Sequence, residues 1–180
     1  LPPRVTSLPV RKSELLIVAR TARPLVEMAR EAGHVPHAID LFGDDDTRAA
    51  ARTTTALPPN RHFDFDAGQL FGAVSSYQAL HGPLPVVCGS AFERAPAALA
   101  ALARHFTVLG CDAEVYRRLL DLPALFTTLR REHGIATPDT RWHAPRAARG
   151  WLRKQLGGSG GGHVAALYAP LPASATHYFQ

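Results

Sequence analysis

Residues 15–33 read LLIVARTARPLVEMAREAG. Leu15 to Ala19 is a continuous apolar run of strand length without polar alternation, the pattern of a strand covered on both faces. Thr21 is placed to cap a following helix and Pro24 suits its first turn. Leu25, Val26, Met28, Ala29 and Ala32 line that helix before Gly33 ends it. Strand, helix and glycine stop make half of a parallel crossover unit, and the same order recurs downstream. Val35 to Leu41 reads as a second strand, followed by the acidic loop Gly43-Asp44-Asp45-Asp46-Thr47, in which Asp46 or Thr47 caps a short alanine-rich helix. A weaker strand is expected around His62 to Phe65, then a helix from about Ala67 to Leu80 and a strand from Leu84 to Cys88. An alanine-rich helix from about Ala95 to His105 and a strand from Phe106 to Leu109 complete the series. Four or five strands alternating with helices predict an α/β fold: an open, mostly parallel sheet with helices on both faces. Ligands of such sheets bind beyond the carboxyl ends of the strands. That places the functional edge at the loops Arg20 to Arg23, Leu41 to Thr47 and Gly89 to Glu93.

From Cys111 the texture changes. Two adjoining helices, Asp112 to Leu120 and Leu122 to His133, are separated only by Pro123, which fits a first helical turn. Gly134 ends the second, and Pro138 holds the preceding residues in an extended path. Thr140 to His143, Trp151 to Leu156 and His163 to Tyr168 read as short antiparallel strands. The chain therefore divides into a proline-broken leader (1–13), a parallel-sheet domain (14–111) and a second, α+β region (112–180).

Composition narrows the function classes. The chain has 180 residues, 46% apolar and 19% charged, a balance incompatible with general disorder. No apolar run approaches the roughly 20 residues of a membrane-spanning helix. Pro2, Pro3 and Pro9 interrupt the amino terminus where a secretory signal would need a continuous apolar stretch, so a cytoplasmic location is expected. The formal charge of +5 comes from 18 arginines and two lysines spread along the chain. With no basic stripe interleaved with aromatics, these read as solvated faces and no nucleic-acid partner is expected. Cys88 and Cys111 have neither zinc-site nor disulfide spacing and read as small buried hydrophobes. The nine histidines show no metal-binding pairing along the sequence and read as packing or surface residues. Asp44-Asp45-Asp46 reads as a solvated turn with a helix cap, so no metal site is assigned.

The most informative segment is Gly157-Gly158-Ser159-Gly160-Gly161-Gly162, lying between two strand candidates, with Lys154 on the incoming strand. A phosphate-binding P-loop would place the lysine after the glycines and a helix after the lysine; a dinucleotide fingerprint would also need a following helix. Neither pattern is met. A glycine hairpin remains, able to bring backbone close to a polyphosphate and turn several amides toward it, with Lys154 adding charge and His163 within reach.

These stretches together resemble the ATP-grasp superfamily. The resemblance is carried by Asp40-Leu41-Phe42-Gly43-Asp44-Asp45-Asp46-Thr47, Gly89-Ser90-Ala91-Phe92-Glu93, Leu109-Gly110, Gly134-Ile135-Ala136-Thr137-Pro138, and Trp151-Leu152-Arg153-Lys154 leading into Gly157 to Gly162. In order they are similar to uncharacterised ATP-grasp proteins found with one-carbon, tetrahydromethanopterin-linked genes. The resemblance implies a Rossmann-like pre-ATP-grasp domain followed by the first, partial subdomain of an ATP-grasp fold. It implies that Lys154, Gly158, Ser159, Gly160, Gly161, Gly162 and His163 hold ATP, and that Arg20, Arg23, Asp44, Asp46 and Glu93 line a cleft for a small carboxylate substrate. Ligands for magnesium are expected in a second half that lies beyond Gln180, toward which Tyr178-Phe179-Gln180 reads as a strand. On this reading the chain by itself is an inactive portion of a ligase. The apolar surface left where that half would pack favours association with another copy. The alternative is a noncatalytic, degenerate relative used for protein association.

Overall fold

The computed structural model describes residues 13–158, 160–168 and 176–180. Most of the leader, Ser159 and residues 169–175 lie outside the described residues. The chain forms two compact units, Leu1–Ala113 and Glu114–Gln180.

In the first unit the elements run β1 (Glu14–Val18), α1 (Arg23–Glu31), β2 (Val35–Asp40), α2 (Asp45–Ala50), β3 (Thr54–Ala56), α3 (Ala67–His81), β4 (Val86–Cys88), α4 (Pro96–His105) and β5 (Val108–Leu109). The strands form one parallel sheet in the order β3-β2-β1-β4-β5. The apolar run makes β1 the central strand, with Leu16, Ile17 and Val18 at most 1% exposed. Ile17 packs with Ala22, Val26 and Ala38 on the face covered by α1. On the opposite face His37 of β2 meets Tyr77 of α3 edge-on, and α3 buries Leu70, Val74 and Tyr77, spaced four and three residues apart as one helical stripe. Helices thus cover both faces, as the alternation of elements predicts.

Three local expectations are corrected. Thr21 does not cap α1; the N-cap is Ala22, whose amide donates to the carboxylate of buried Asp40 instead. The cap of α2 is Asp44, accepting from the Thr47 amide at 2.8 Å, rather than Asp46 or Thr47. His62 to Phe65 is no strand: the Asn60 side chain accepts from the amides of His62 and Asp64, and Phe63 takes φ +56, so the backbone closes into a turn. The outer strand is instead Thr54–Ala56, in the run of β-branched Thr53, Thr54 and Thr55.

The second unit carries α5 (Ala113–Leu120) and α6 (Leu122–Arg131), the latter capped by Asp121 with Pro123 in its first turn. Then β6 (Leu152–Gln155), β7 (Val164–Ala166) and β8 (His177–Phe179) form an antiparallel sheet in the order β7-β6-β8. Of the strand expected over Thr140 to His143 there is a single bridge, Arg141 exchanging two 2.9 Å hydrogen bonds with Phe179. Tyr178 and Phe179, read from sequence as entering a further segment, are buried in β8 beside β6. Cys111, expected inside, is exposed just after Gly110, whose φ is +111; Cys88 is half-buried.

Candidate functional site

The strand order reverses at β1, flanked by β2 and β4, so the switch-point crevice lies at the carboxyl ends of β1 and β4. Arg20, two residues beyond β1, ties the surrounding loops together through its backbone. Its amide donates to the Ser90 carbonyl at 3.0 Å, and its carbonyl accepts from the Leu41 amide at 3.2 Å. The approach of β1 to β4 requires glycine at position 89, where an added Cβ would stand 2.7 Å from Ala19 Cβ and 2.8 Å from Leu25 Cδ1. The Arg20 guanidinium donates to the Phe63 carbonyl at 2.8 Å, pairs with the nearly buried Asp64, and lies 3.7 Å from Glu93. Glu93 also accepts from the Ala91 amide at 2.9 Å, and Ala91 is held at φ +95 while buried. A positive φ costs a residue with a Cβ free energy, so this loop is held by its contacts.

The remaining cleft candidates separate from this group. Arg23 pairs with Asp46 at 3.1 Å, both side chains being about half or more exposed. Asp44 spends its carboxylate on the α2 cap, and the Thr47 amide holds its pKa below the ordinary aspartate value. Two residues that sequence reasoning did not single out organise the edge. Asp64 is the close partner of Arg20. Asp40 is fully buried and accepts from the amides of Phe42 (3.2 Å), Gly43 (2.7 Å) and Ala22 (3.4 Å), joining the loops after β1 and β2. An acid ending an apolar strand was the available signal for Asp40; Asp64 left none, because its partner is 44 residues away.

In the second unit Lys154 sits on β6 opposite Val164 of β7 and Tyr178 of β8. Its ammonium donates to Gln180 Oε1 at 2.7 Å, and the Gln180 amide donates to Thr140 Oγ1 at 3.0 Å. The chain then turns through left-handed Gly157, Gly160 and Gly161, at φ +67, +69 and +80. Gly158 is required for a different reason: an added Cβ would fall 2.2 Å from His163 Cγ. His163 therefore packs directly across the hairpin, and Ser159 lies outside the described residues. From Thr140 to Gln180 the sequence has five basic residues and no aspartate or glutamate, a local excess as large as the chain's whole net charge of +5. An open cavity of about 650 Å³, lined by residues 141–147 and Trp151, adjoins the strand in this basic stretch. There the Arg141 guanidinium lies 4.8 Å from the Trp151 ring centre, and Trp142 stacks near Tyr178. The donor set of this sheet fits phosphate oxygens; it offers no carboxylate to magnesium.

No protein-family model matches the sequence, and no curated protein matches it. Solved structures do. N5-carboxyaminoimidazole ribonucleotide synthetase from Thermotoga maritima superposes with a TM-score of 0.57 at 11% identity, covering 93% of this chain and 45% of its own. L-amino acid ligase from Bacillus licheniformis gives 0.57 at 18% identity, over 82% of this chain and 38% of its own. The biotin carboxylase domain of 2-oxoglutarate carboxylase from Hydrogenobacter thermophilus, in complex with MgADP, ADP and bicarbonate, gives 0.59 at 13%, over 86% and 37%. These are ATP-grasp ligases, and the fold of this chain is the amino-terminal α/β region of that fold. The chain spans less than half the length of each of these three proteins.

Proposed function

We propose that this chain is the amino-terminal, nucleotide-binding portion of an ATP-grasp ligase. The observation that supports it is Lys154 on β6 beside a glycine hairpin, inside a stretch that is basic and free of acidic residues. Lys154, the amides of the 157–162 loop and His163 would hold the phosphates. Gln180 positions the ammonium by accepting from it. In the first unit Arg20, braced by Asp64 and Glu93, would orient the carboxylate substrate at the switch point. Bound ATP with magnesium supplies the phosphoryl group: a carboxylate oxygen takes it with loss of ADP, and an amine or similar nucleophile then displaces phosphate from the acyl phosphate. Such chemistry needs positioning and charge neutralisation more than a reactive side chain. Magnesium ligands belong, on this reading, to residues outside this chain, so the 180 residues bind nucleotide without turning it over. The one-carbon setting implied by the sequence resemblance makes a pterin-linked acid the first substrate class to try.

Calorimetric titration of the chain with ATP, with and without magnesium, tests the proposal. A micromolar to millimolar dissociation constant that weakens roughly 10-fold or more in Lys154→Ala is expected, since a charge-assisted hydrogen bond contributes about 1.5–3 kcal/mol. No heat at millimolar ATP, together with a stable oligomer in sedimentation, would replace this reading with the association module.

A further inference from the structure

Glu14, His37 and His81 converge although they lie far apart in sequence: one donor atom from each lies within 4.8 Å of the others. They come from the first residue of β1, the interior of β2 and the last residue of α3. Glu14 Oε2 lies 3.2 Å from His37 Nε2, while Oε1 is held by Arg52. The His37 and His81 rings are 4.4 Å apart. Because β1 begins at Glu14, the cluster lies at the amino-terminal edge of the sheet, opposite the switch-point loops.

Tyr77 Oη donates to the Ala38 carbonyl at 3.3 Å and lies 3.0 Å from Thr55 Oγ1 and 3.4 Å from Thr53 Oγ1. His37 Nδ1 lies 2.6 Å from Thr53 Oγ1, a contact in which either partner can donate. His37 Nε2 faces the Glu14 carboxylate at 3.2 Å in a site where His37 is 0% exposed. In the tautomer whose Nδ1–H donates to Thr53, the Nε2 lone pair and the carboxylate are placed to share a cation. Beside it His81 Nε2 is also buried and has no hydrogen-bond partner among the described residues.

We infer that Glu14, His37 and His81 bind a divalent metal ion of the zinc class. Two imidazoles and one carboxylate are the donor set that borderline-soft ions prefer, and three protein ligands leave a fourth position open. Thr53 supplies the outer-shell contact that orients a ligating histidine. A cavity of about 280 Å³, lined by residues including Thr53, Tyr77 and His81, gives the ion and its fourth ligand access from solvent. Tetrahedral bonds of about 2.1 Å put donors about 3.4 Å apart, so closure needs a movement of about 1 Å. Glu14, 35% exposed at its side chain, can supply it by a rotamer change that gives up its contact with Arg52.

The test is a zinc titration of the chelator-stripped, full 180-residue chain against a chromophoric competitor, with cobalt(II) as the spectroscopic probe. One equivalent is expected to bind, and cobalt is expected to give the intense visible bands of a four-coordinate nitrogen–oxygen site. Glu14→Gln and His81→Gln are each expected to weaken binding at least tenfold, and His133→Gln, at an exposed position, to leave it unchanged. Circular dichroism of both variants checks that they remain folded. Absence of a stoichiometric site, an octahedral cobalt spectrum, or an affinity unchanged in both variants would overturn the assignment. His37 Nε2–H would then donate to Glu14, and Thr53 Oγ1–H to His37 Nδ1.

Discussion

Asp40 ties together the loops that follow β1 and β2. It is fully buried, and its acceptance of three loop amides leaves them unsatisfied if the carboxylate is removed. Asp40→Ala is expected to destabilise the chain by about 3 kcal/mol in urea unfolding, the loss associated with hydrogen bonds to a buried charge. Asp44 behaves differently, being a more exposed cap whose folded pKa is depressed chiefly by the Thr47 amide. Its contribution is present above the ordinary aspartate value of 3.8 and is lost as pH falls through the lower folded value. In a urea series carried below pH 4, Asp44→Ala is therefore expected to show a flatter pH dependence than the unmodified chain. At neutral pH the same variant loses about 1 kcal/mol, the usual worth of an N-cap. The two cysteines separate by environment. Burial pushes the Cys88 thiol up to about 12, whereas Cys111 is exposed. A chromogenic disulfide reagent at neutral pH is expected to titrate one thiol rapidly, and Cys111→Ser to abolish that phase.

Among the secondary elements, close approach makes the sharpest demand. Gly89→Ala would drive a methyl group into Ala19 and Leu25 where β4 leaves the sheet beside β1. Overpacking of this kind costs typically 1–3 kcal/mol, measurable as a lowered urea midpoint with an unchanged slope. The elements also show how far local patterning reaches. The apolar runs of β1 and β2, the helix α1 and the glycine after it were legible because each reports on its own few residues, although Met28 and Ala32, read as lining that helix, are exposed. β3 was missed although Thr53-Thr54-Thr55 is strongly β-prone, since a three-residue edge strand has no alternation to display. His62 to Phe65 was mistaken for a strand because its aromatic content fits one, while the Asn60 side chain that curls it lies just outside. The α2 cap was placed too late for a related reason: each residue of Asp44-Asp45-Asp46-Thr47 is a competent cap, and the pattern does not single out Asp44, the one that accepts from the Thr47 amide.

For the chain taken together, ATP is expected to act as a stabilising ligand. At a free concentration a hundredfold above its dissociation constant it adds about 2.7 kcal/mol, visible as a rise in melting temperature that Lys154→Ala diminishes. The glycine hairpin, Lys154 and the parallel crossover order could all be read from the chain, because strand period, helix stripe and glycine spacing are properties of neighbouring residues. What folding alone determined was partnership across long separations. Arg20 meets Asp64 and Glu93, Lys154 meets Gln180, and Glu14 meets His37 and His81. These contacts follow from strand order and register, which are set by the burial of whole faces and leave no periodic trace in the residues that meet.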